Sequence, residues 1–228
     1  LENIKKTYKN NFEEKAILNG VSLKIRDNDI VTVYGNSGVG KTTLLNIVSG
    51  IINPDKGIVN INGKIVDNSN KINIRKKMIS ILFQKDNLLP EFNVSDNMIL
   101  PLVINGIKYA DAELRVNEVL DYLDMKNYKL RYPNQLSSGE YQRISLLRCI
   151  CKKPKLIIAD EPTANLDEKN CEQLMKLIVK LNRDYGMAFL IATHDKRFKK
   201  VSTLEYELFN GDLKNKWMRI TLRELKNY

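Results

Sequence analysis

The sequence predicts an α/β fold in which a mostly parallel sheet is covered on both faces, with an antiparallel β subdomain beside it and a helical subdomain inserted in it. Three observations carry this prediction. Short, nearly continuous apolar runs recur at 30–34, 79–83, 156–159 and 188–192, as expected of strands buried on both faces. Helix-spaced apolar stripes alternate with them: Val116, Val119, Leu120 and Leu123; Ile144, Leu147 and Ile150; Leu174, Leu177, Ile178 and Leu181. Residues 85–151 carry no strand signal and read as the inserted helical subdomain, which leaves 1–84 and 152–228 for the catalytic core and its β subdomain.

The elements follow in chain order. A strand is expected over 18–25, where Leu18, Val21, Leu23 and Ile25 are apolar between Gly20 and Asp27-Asn28-Asp29. The run Ile30-Val31-Thr32-Val33-Tyr34 leads into Gly35-Asn36-Ser37-Gly38-Val39-Gly40-Lys41-Thr42-Thr43, and a helix-like stretch to Ser49 closes at Gly50. Strand, glycine loop and helix in that order make a phosphate cradle. Glycines let successive backbone N–H groups converge on a polyphosphate, and the helix start adds partial positive charge. Lys41 is placed to reach β- and γ-phosphates and the Thr42 hydroxyl to sit on Mg²⁺. Residues 58–65 then alternate apolar and polar across Asn62-Gly63, which signals a hairpin.

Further along, the apolar strand Leu156-Ile157-Ile158-Ala159 ends in Asp160-Glu161-Pro162. A buried strand that delivers two carboxylates to its end needs a charged ligand to compensate them. Asp160 then holds Mg²⁺ through its water shell, and Glu161 orients or deprotonates the attacking water. His194, the single histidine, follows the last apolar run, at the edge where open α/β sheets bind ligands, and is a candidate donor to the γ-phosphate. Leu136-Ser137-Ser138-Gly139-Glu140 opens a helix in the insert. It reads either as a second anion site or as an ordinary N-cap with Glu140 in the first turn.

Composition bounds the partners. The chain has 228 residues and a net charge of +10, but its cations are scattered through a Lys-, Asn- and Ile-rich sequence, so no nucleic-acid partner is expected. No apolar run approaches the roughly 18 residues of a membrane span, and no charged-then-apolar leader opens the sequence. A soluble, cytoplasmic protein is the expectation. Cys149, Cys151 and Cys171 fit neither zinc nor redox spacing and read as reduced, buried thiols.

Taken together, these motifs resemble the ATPase subunits of ABC transporters: GNSGVGKTT as Walker A, Gln84 as the Q-loop, LSSGE as the signature, LIIADEPT as Walker B, ANLD as the D-loop and His194 as the H-loop. The resemblance covers essentially the whole chain and implies a P-loop NTPase (RecA-like) core that binds ATP and Mg²⁺. It also implies an ATP-dependent head-to-tail homodimer, in which ATP on one Walker A is capped by Ser137, Gly139 and Glu140 of the other chain. By the same resemblance Glu161, His194, Lys41 and Gln84 are catalytic, and Thr42, Gln84 and Asp160 hold the metal. Gly35 to Thr43, Asp167 and Tyr8 contact the nucleotide, Tyr8 by stacking on adenine. The signature departs from the usual LSGGQ at Ser138 and Glu140.

Residues 84–92 and 181–190 look most like the lipoprotein-releasing (LolD) group, with MacB-type exporters and the division protein FtsE as the alternatives. Such subunits lie on the cytoplasmic face of the membrane and bind integral membrane permease subunits beside the Q-loop. Leu88, Leu89 and Phe92 are therefore the candidate docking residues, with core packing as the competing reading. In the last stretch, Lys214 to Tyr228, Met218, Leu222 and Leu225 form a helical stripe among basic residues.

Overall fold

The computed structural model of the chain describes residues 1–9, 14–84 and 87–216. Strands β1 (Glu2–Lys9) and β2 (Glu14–Val21) pair antiparallel, and β3 (Ile30–Tyr34) leads through the glycine loop into α1 (Lys41–Val48). Three short strands follow, β4 (Lys56–Ile58), β5 (Asn60–Ile61) and β6 (Lys64–Ile65), then α2 (Lys71–Met78) and β7 (Ile79–Leu82). Helices α3 (Val94–Ile104), α4 (Tyr109–Tyr122) and α5 (Ser138–Ile150) precede β8 (Leu156–Asp160), α6 (Glu168–Tyr185) and β9 (Ala188–Thr193). The hairpin β10 (Leu204–Phe209) and β11 (Asp212–Asn215) ends the described chain. Among the described residues between β7 and β8 there are helices and no strand.

The main sheet runs β11-β10-β3-β9-β8-β7 and is parallel throughout except for β11. Side chains alternate between its two faces. Ile157, Ala159, Phe189 and Ile191 pack with α3–α6, while Leu156, Ile158, Leu190, Val31 and Val33 pack with α1, Ile4, Leu18 and Val21. This two-sided cover is why the strand sequences show no polar face. Full burial of a Leu, Ile or Phe contributes about 1.5–3 kcal/mol each, and the cover fixes the carboxyl ends of β3, β8 and β9 side by side. The second sheet, β2-β1-β4, is antiparallel and packs over α1.

Helix ends follow local chemistry. Asp167 caps α6 by accepting from the Asn170 N–H at 2.7 Å, and Gly186 stops it in the left-handed conformation at φ 68°. The expected hairpin forms, with Asn60 opposite Ile65. Two expectations need correction. The strand expected over 18–25 is displaced to Glu14–Val21, because register with β1 ends at Val21 opposite Ile4. Lys214 and Asn215 belong to β11, whereas Met218, Leu222 and Leu225 lie outside the described residues.

Candidate functional site

A cavity of about 590 Å³ opens at the carboxyl ends of β3, β8 and β9 and is lined by Asn36, Ser37, Gly38, Gly40, Lys41, Thr42, Thr43, Gln84, Asp160, Glu161 and His194, with Ile17 of β2. Another cavity, of about 300 Å³, lies at the opposite sheet edge beside Leu23, Leu156 and Ala188 and gathers none of the expected site residues.

The cradle is sterically specified. Gly40 stands at φ 111°, and a Cβ there would lie 2.6 Å from Ile17 Cγ2; one on Gly35 would lie 2.7 Å from the Leu208 carbonyl oxygen. The helix that follows is left open to an anion. α3, α5 and α6 have side-chain caps from Asn93, Ser137 and Asp167 and an acid in the first turn; α1 and α2 have neither, and of these two only α1 starts in the cavity lining. Its free N–H groups and dipole therefore face the cavity uncompensated, which fits a polyphosphate.

Lys41 is buried at 7% exposure. Its Nζ donates to the carbonyls of Gly35 at 2.8 Å and Asn36 at 3.2 Å, and Glu161 Oε1 lies 3.4 Å away. The cation is thus held over the loop by contacts that a phosphate can replace. Thr42 Oγ1 donates to Asp160 Oδ2 at 2.7 Å, so hydroxyl and carboxylate, 118 residues apart in sequence, converge at one point. No cluster of three or more His, Cys, Asp or Glu side chains suited to a metal occurs among the described residues. The pair suits Mg²⁺, which takes one or two protein ligands beside substrate phosphates and waters. Burial raises the Asp160 carboxyl above the usual carboxylate range; the Thr42 hydroxyl opposes this rise and the Glu161 charge adds to it.

Glu161 has φ 45°, a left-handed conformation unusual outside glycine. Its N–H donates to the Ala192 carbonyl at 2.8 Å. Its Oε2 accepts from Thr193 Oγ1 at 2.9 Å, from the His194 N–H at 3.2 Å and from His194 Nδ1 at 3.0 Å. Burial alone pushes the carboxyl up, but the donors from His194 and Thr193 outweigh it and hold it low, ionised at neutral pH. Gln84 is exposed on the bend after β7, where buried Asn87 ties the loop by accepting from the Phe83 N–H at 2.8 Å and donating to its carbonyl at 2.6 Å.

Other expected residues lie outside the cavity lining. Ser137 and Glu140 form a capping box: Glu140 Oε2 accepts from the Ser137 N–H at 2.8 Å, and Tyr128 OH donates to Oε1 at 2.9 Å. Gly139 abuts α6, where its Cβ would meet Asn170 Oδ1 at 2.0 Å, and Asp167 caps the same helix. Tyr8 is 47% exposed on β1 with Lys6 Nζ 5.8 Å from its ring.

The docking trio divides. Leu88 is buried in the helical core at 5% exposure, which corrects its assignment to a docking surface. Leu89 and Phe92 are each 39% exposed. Leu89 lines a groove of about 510 Å³ with Phe83, Leu100, Pro101 and Ile104, flanked by Arg75, Lys76, Arg148 and Lys152.

Sequence reasoning assigned no role to Ile17, Asn87, Asn170 or Thr193. Ile17, Asn170 and Thr193 enter the site region by long-range contacts with Gly40, Gly139 and Glu161, and Asn87 by hydrogen bonds to Phe83 four residues away.

Comparison with known proteins follows the same lines. Residues 18–164 match the family model described as ABC transporter. The chain is 39% identical over 216 residues to the lipoprotein-releasing system ATP-binding protein LolD of Blochmanniella floridana, covering 93% of this chain and 92% of that protein. It is 36% identical over 204 residues to the ABC transporter ATP-binding protein YtrE of Bacillus subtilis, covering 88% of each. The dimeric structure of MJ0796, a bacterial ABC transporter cassette, superposes with a TM-score of 0.84 at 32% identity over 94% of this chain and 95% of that one. A post-hydrolysis dimer of that cassette, bound to ADP and Pi, also superposes with a TM-score of 0.84, at 31% identity over 96% of this chain and 98% of that one.

Proposed function

This chain belongs to the ABC transporter family as an ATP-binding, ATP-hydrolysing subunit, and on that premise we propose that its cavity is one half of a composite site completed by a second copy in a head-to-tail dimer. The observation that carries this reading is a separation. Ser137 and Gly139, at the start of α5, are absent from the cavity that gathers Lys41, Thr42, Asp160 and Glu161, so the contact with ATP that the family resemblance implies for them needs a nucleotide held by another chain.

In the proposed site Lys41 leaves the loop carbonyls for the β- and γ-phosphates, and the first-turn N–H groups of α1 bind the same oxygens. Thr42, Asp160 and Gln84 hold Mg²⁺, which neutralises charge on the transferring phosphoryl group. Glu161 takes a proton from the attacking water, the His194 ring N–H exchanges Glu161 Oε2 for the γ-phosphate as its acceptor, and Tyr8 stacks on the base. Asp167 borders the nucleotide across the interface, with Ser137, Gly139 and Glu140 capping it. The core is 1–84 with 152–228, and 85–151 is the signature-bearing helical subdomain.

Closure of this dimer drives separate integral membrane subunits, which dock in the groove that includes Leu89, with Phe92 nearby. The chain is accordingly peripheral on the cytoplasmic membrane face. The LolD relative supports lipoprotein release as the transport step.

The test separates a shared site from a self-contained one. Lys41→Ala spoils the cradle and Ser137→Arg spoils the cap, so each homodimer has one spoiled half in both sites and should be nearly inactive. A mixed dimer gathers both lesions in one site and leaves the other whole. Mixing the two inactive proteins should restore part of the ATPase activity, with wild type mixed into each variant as the control for turnover by one intact site. Background activity despite demonstrated subunit exchange overturns the shared-site reading.

A further inference from the structure

Three donors converge on one oxygen of Glu161, and one of them comes from a side chain that has no assigned role. Thr193 closes β9 and is fully buried. Its Oγ1 lies 2.9 Å from Glu161 Oε2 and 3.0 Å from the Asp195 backbone nitrogen. A backbone N–H can only donate, so Thr193 Oγ1 accepts from Asp195 and its own proton is directed to the carboxylate.

Asp195 is itself immobilised. Its Oδ1 accepts from the Arg197 N–H at 2.9 Å and from Nε at 2.8 Å. Its Oδ2 accepts from Arg197 NH2 at 2.7 Å and from Thr163 Oγ1 at 2.9 Å. The chain of contacts Arg197, Asp195, Thr193, Glu161 therefore has a single direction of donation and ends on Oε2. The His194 N–H and Nδ1 use the same oxygen. Oε1 has Lys41 Nζ at 3.4 Å, and in the proposed site Lys41 leaves that contact for the phosphates.

We propose that Thr193 is a positioning residue for hydrolysis: by anchoring Oε2 it reserves Oε1 of Glu161 as the atom that accepts the proton of the attacking water. The proposal rests on the reading of Glu161 as the base. The anchoring matters because Glu161 stands in a left-handed backbone conformation, where the path of the main chain alone does not fix the side chain. A hydroxyl on a fully buried, β-branched residue has little rotational freedom, so it holds the carboxylate in one orientation while Lys41 changes partners.

The test compares steady-state kcat and KM for ATP in the full chain among wild type, Thr193→Val, Thr193→Ser and Glu161→Gln, with MgADP affinity as the readout of an intact fold and cradle. Valine keeps the branched shape and removes the hydroxyl; serine keeps the hydroxyl. Misplacing a base by about 1 Å costs on the order of 100-fold, so Thr193→Val should lower kcat about 10- to 100-fold with KM and MgADP affinity within about twofold of wild type. Thr193→Ser should recover kcat to within about threefold of wild type. A Thr193→Val enzyme within about threefold of wild type in kcat, beside an inactive Glu161→Gln, overturns the role of Thr193 alone. Loss of MgADP affinity in both Thr193 variants also overturns it, by making the residue structural. An active Glu161→Gln enzyme overturns the reading of the base, and the proposal with it.

Discussion

Gly139→Ala tests whether the signature and the start of α6 are locked together. The new Cβ would stand 2.0 Å from Asn170 Oδ1, 2.3 Å from its Cγ and 3.0 Å from its Cβ, so the amide must rotate away. Rotation removes the Arg143 NH1 donation to Asn170 Oδ1 at 3.2 Å and the Asn170 Nδ2 donation to Asp167 Oδ2 at 2.9 Å. At about 0.5–1.5 kcal/mol each these losses sum to about 1–3 kcal/mol. Replacing a helical glycine by alanine returns up to about 1 kcal/mol, so the net is a destabilisation of about 1 kcal/mol, or about 2–4 °C for a domain of this size. In an Asn170→Ala background the amide and both hydrogen bonds are already gone and only the 3.0 Å approach to the residue-170 Cβ remains, so the same change should destabilise less than in the wild type. Thermal unfolding of the nucleotide-free chain, followed by circular dichroism in all four combinations, reads the coupling directly. Equal effects of Gly139→Ala in the two backgrounds would refute the packing argument.

Two further substitutions probe chemistry and docking. Glu161→Gln should keep nucleotide binding, because Thr42, Asp160 and the cradle remain, but lose about 10²–10⁴-fold in turnover and accumulate as an ATP-bound dimer. Size exclusion with Mg-ATP that shows monomer alone, or undiminished turnover, counts against it. Leu89→Asp should leave the isolated subunit folded and active while reducing co-purification with membrane subunits, since Leu89 already faces the groove. Leu88→Asp should instead lower the melting temperature sharply, because a carboxylate would enter the helical core; equal melting temperatures for the two variants would show that their burial does not differ.

The strands legible in sequence were continuous apolar runs, and the helices were those with an apolar stripe at helical spacing. The runs at 156–159 and 188–192 became β8 and β9, and the stripe Leu174, Leu177, Ile178 and Leu181 became one face of α6. β10 has no continuous apolar run: Leu204, Tyr206 and Leu208 alternate with Glu205 and Glu207, of which Glu205 is nonetheless buried. Leu88 and Leu89 were not separable because the segment before α3 has no period, and which neighbour turns inward is set by Tyr141 OH and Asn97 Oδ1 accepting from their N–H groups at 2.9 and 2.7 Å.

The sequence by itself determined the family, the order of the motifs and the chemical type of each site residue. Phosphate cradles, helix caps and buried strands are properties of short contiguous segments, written in spacing and side-chain type. Only the tertiary structure decided how the carboxylates are held. Thr42 meets Asp160 across 118 residues, and Thr193 meets Glu161 across 32. Gly139 packs against Asn170 on a different helix. Such contacts depend on which strands lie adjacent and how closely two helices approach, and in one sequence no local pattern encodes either.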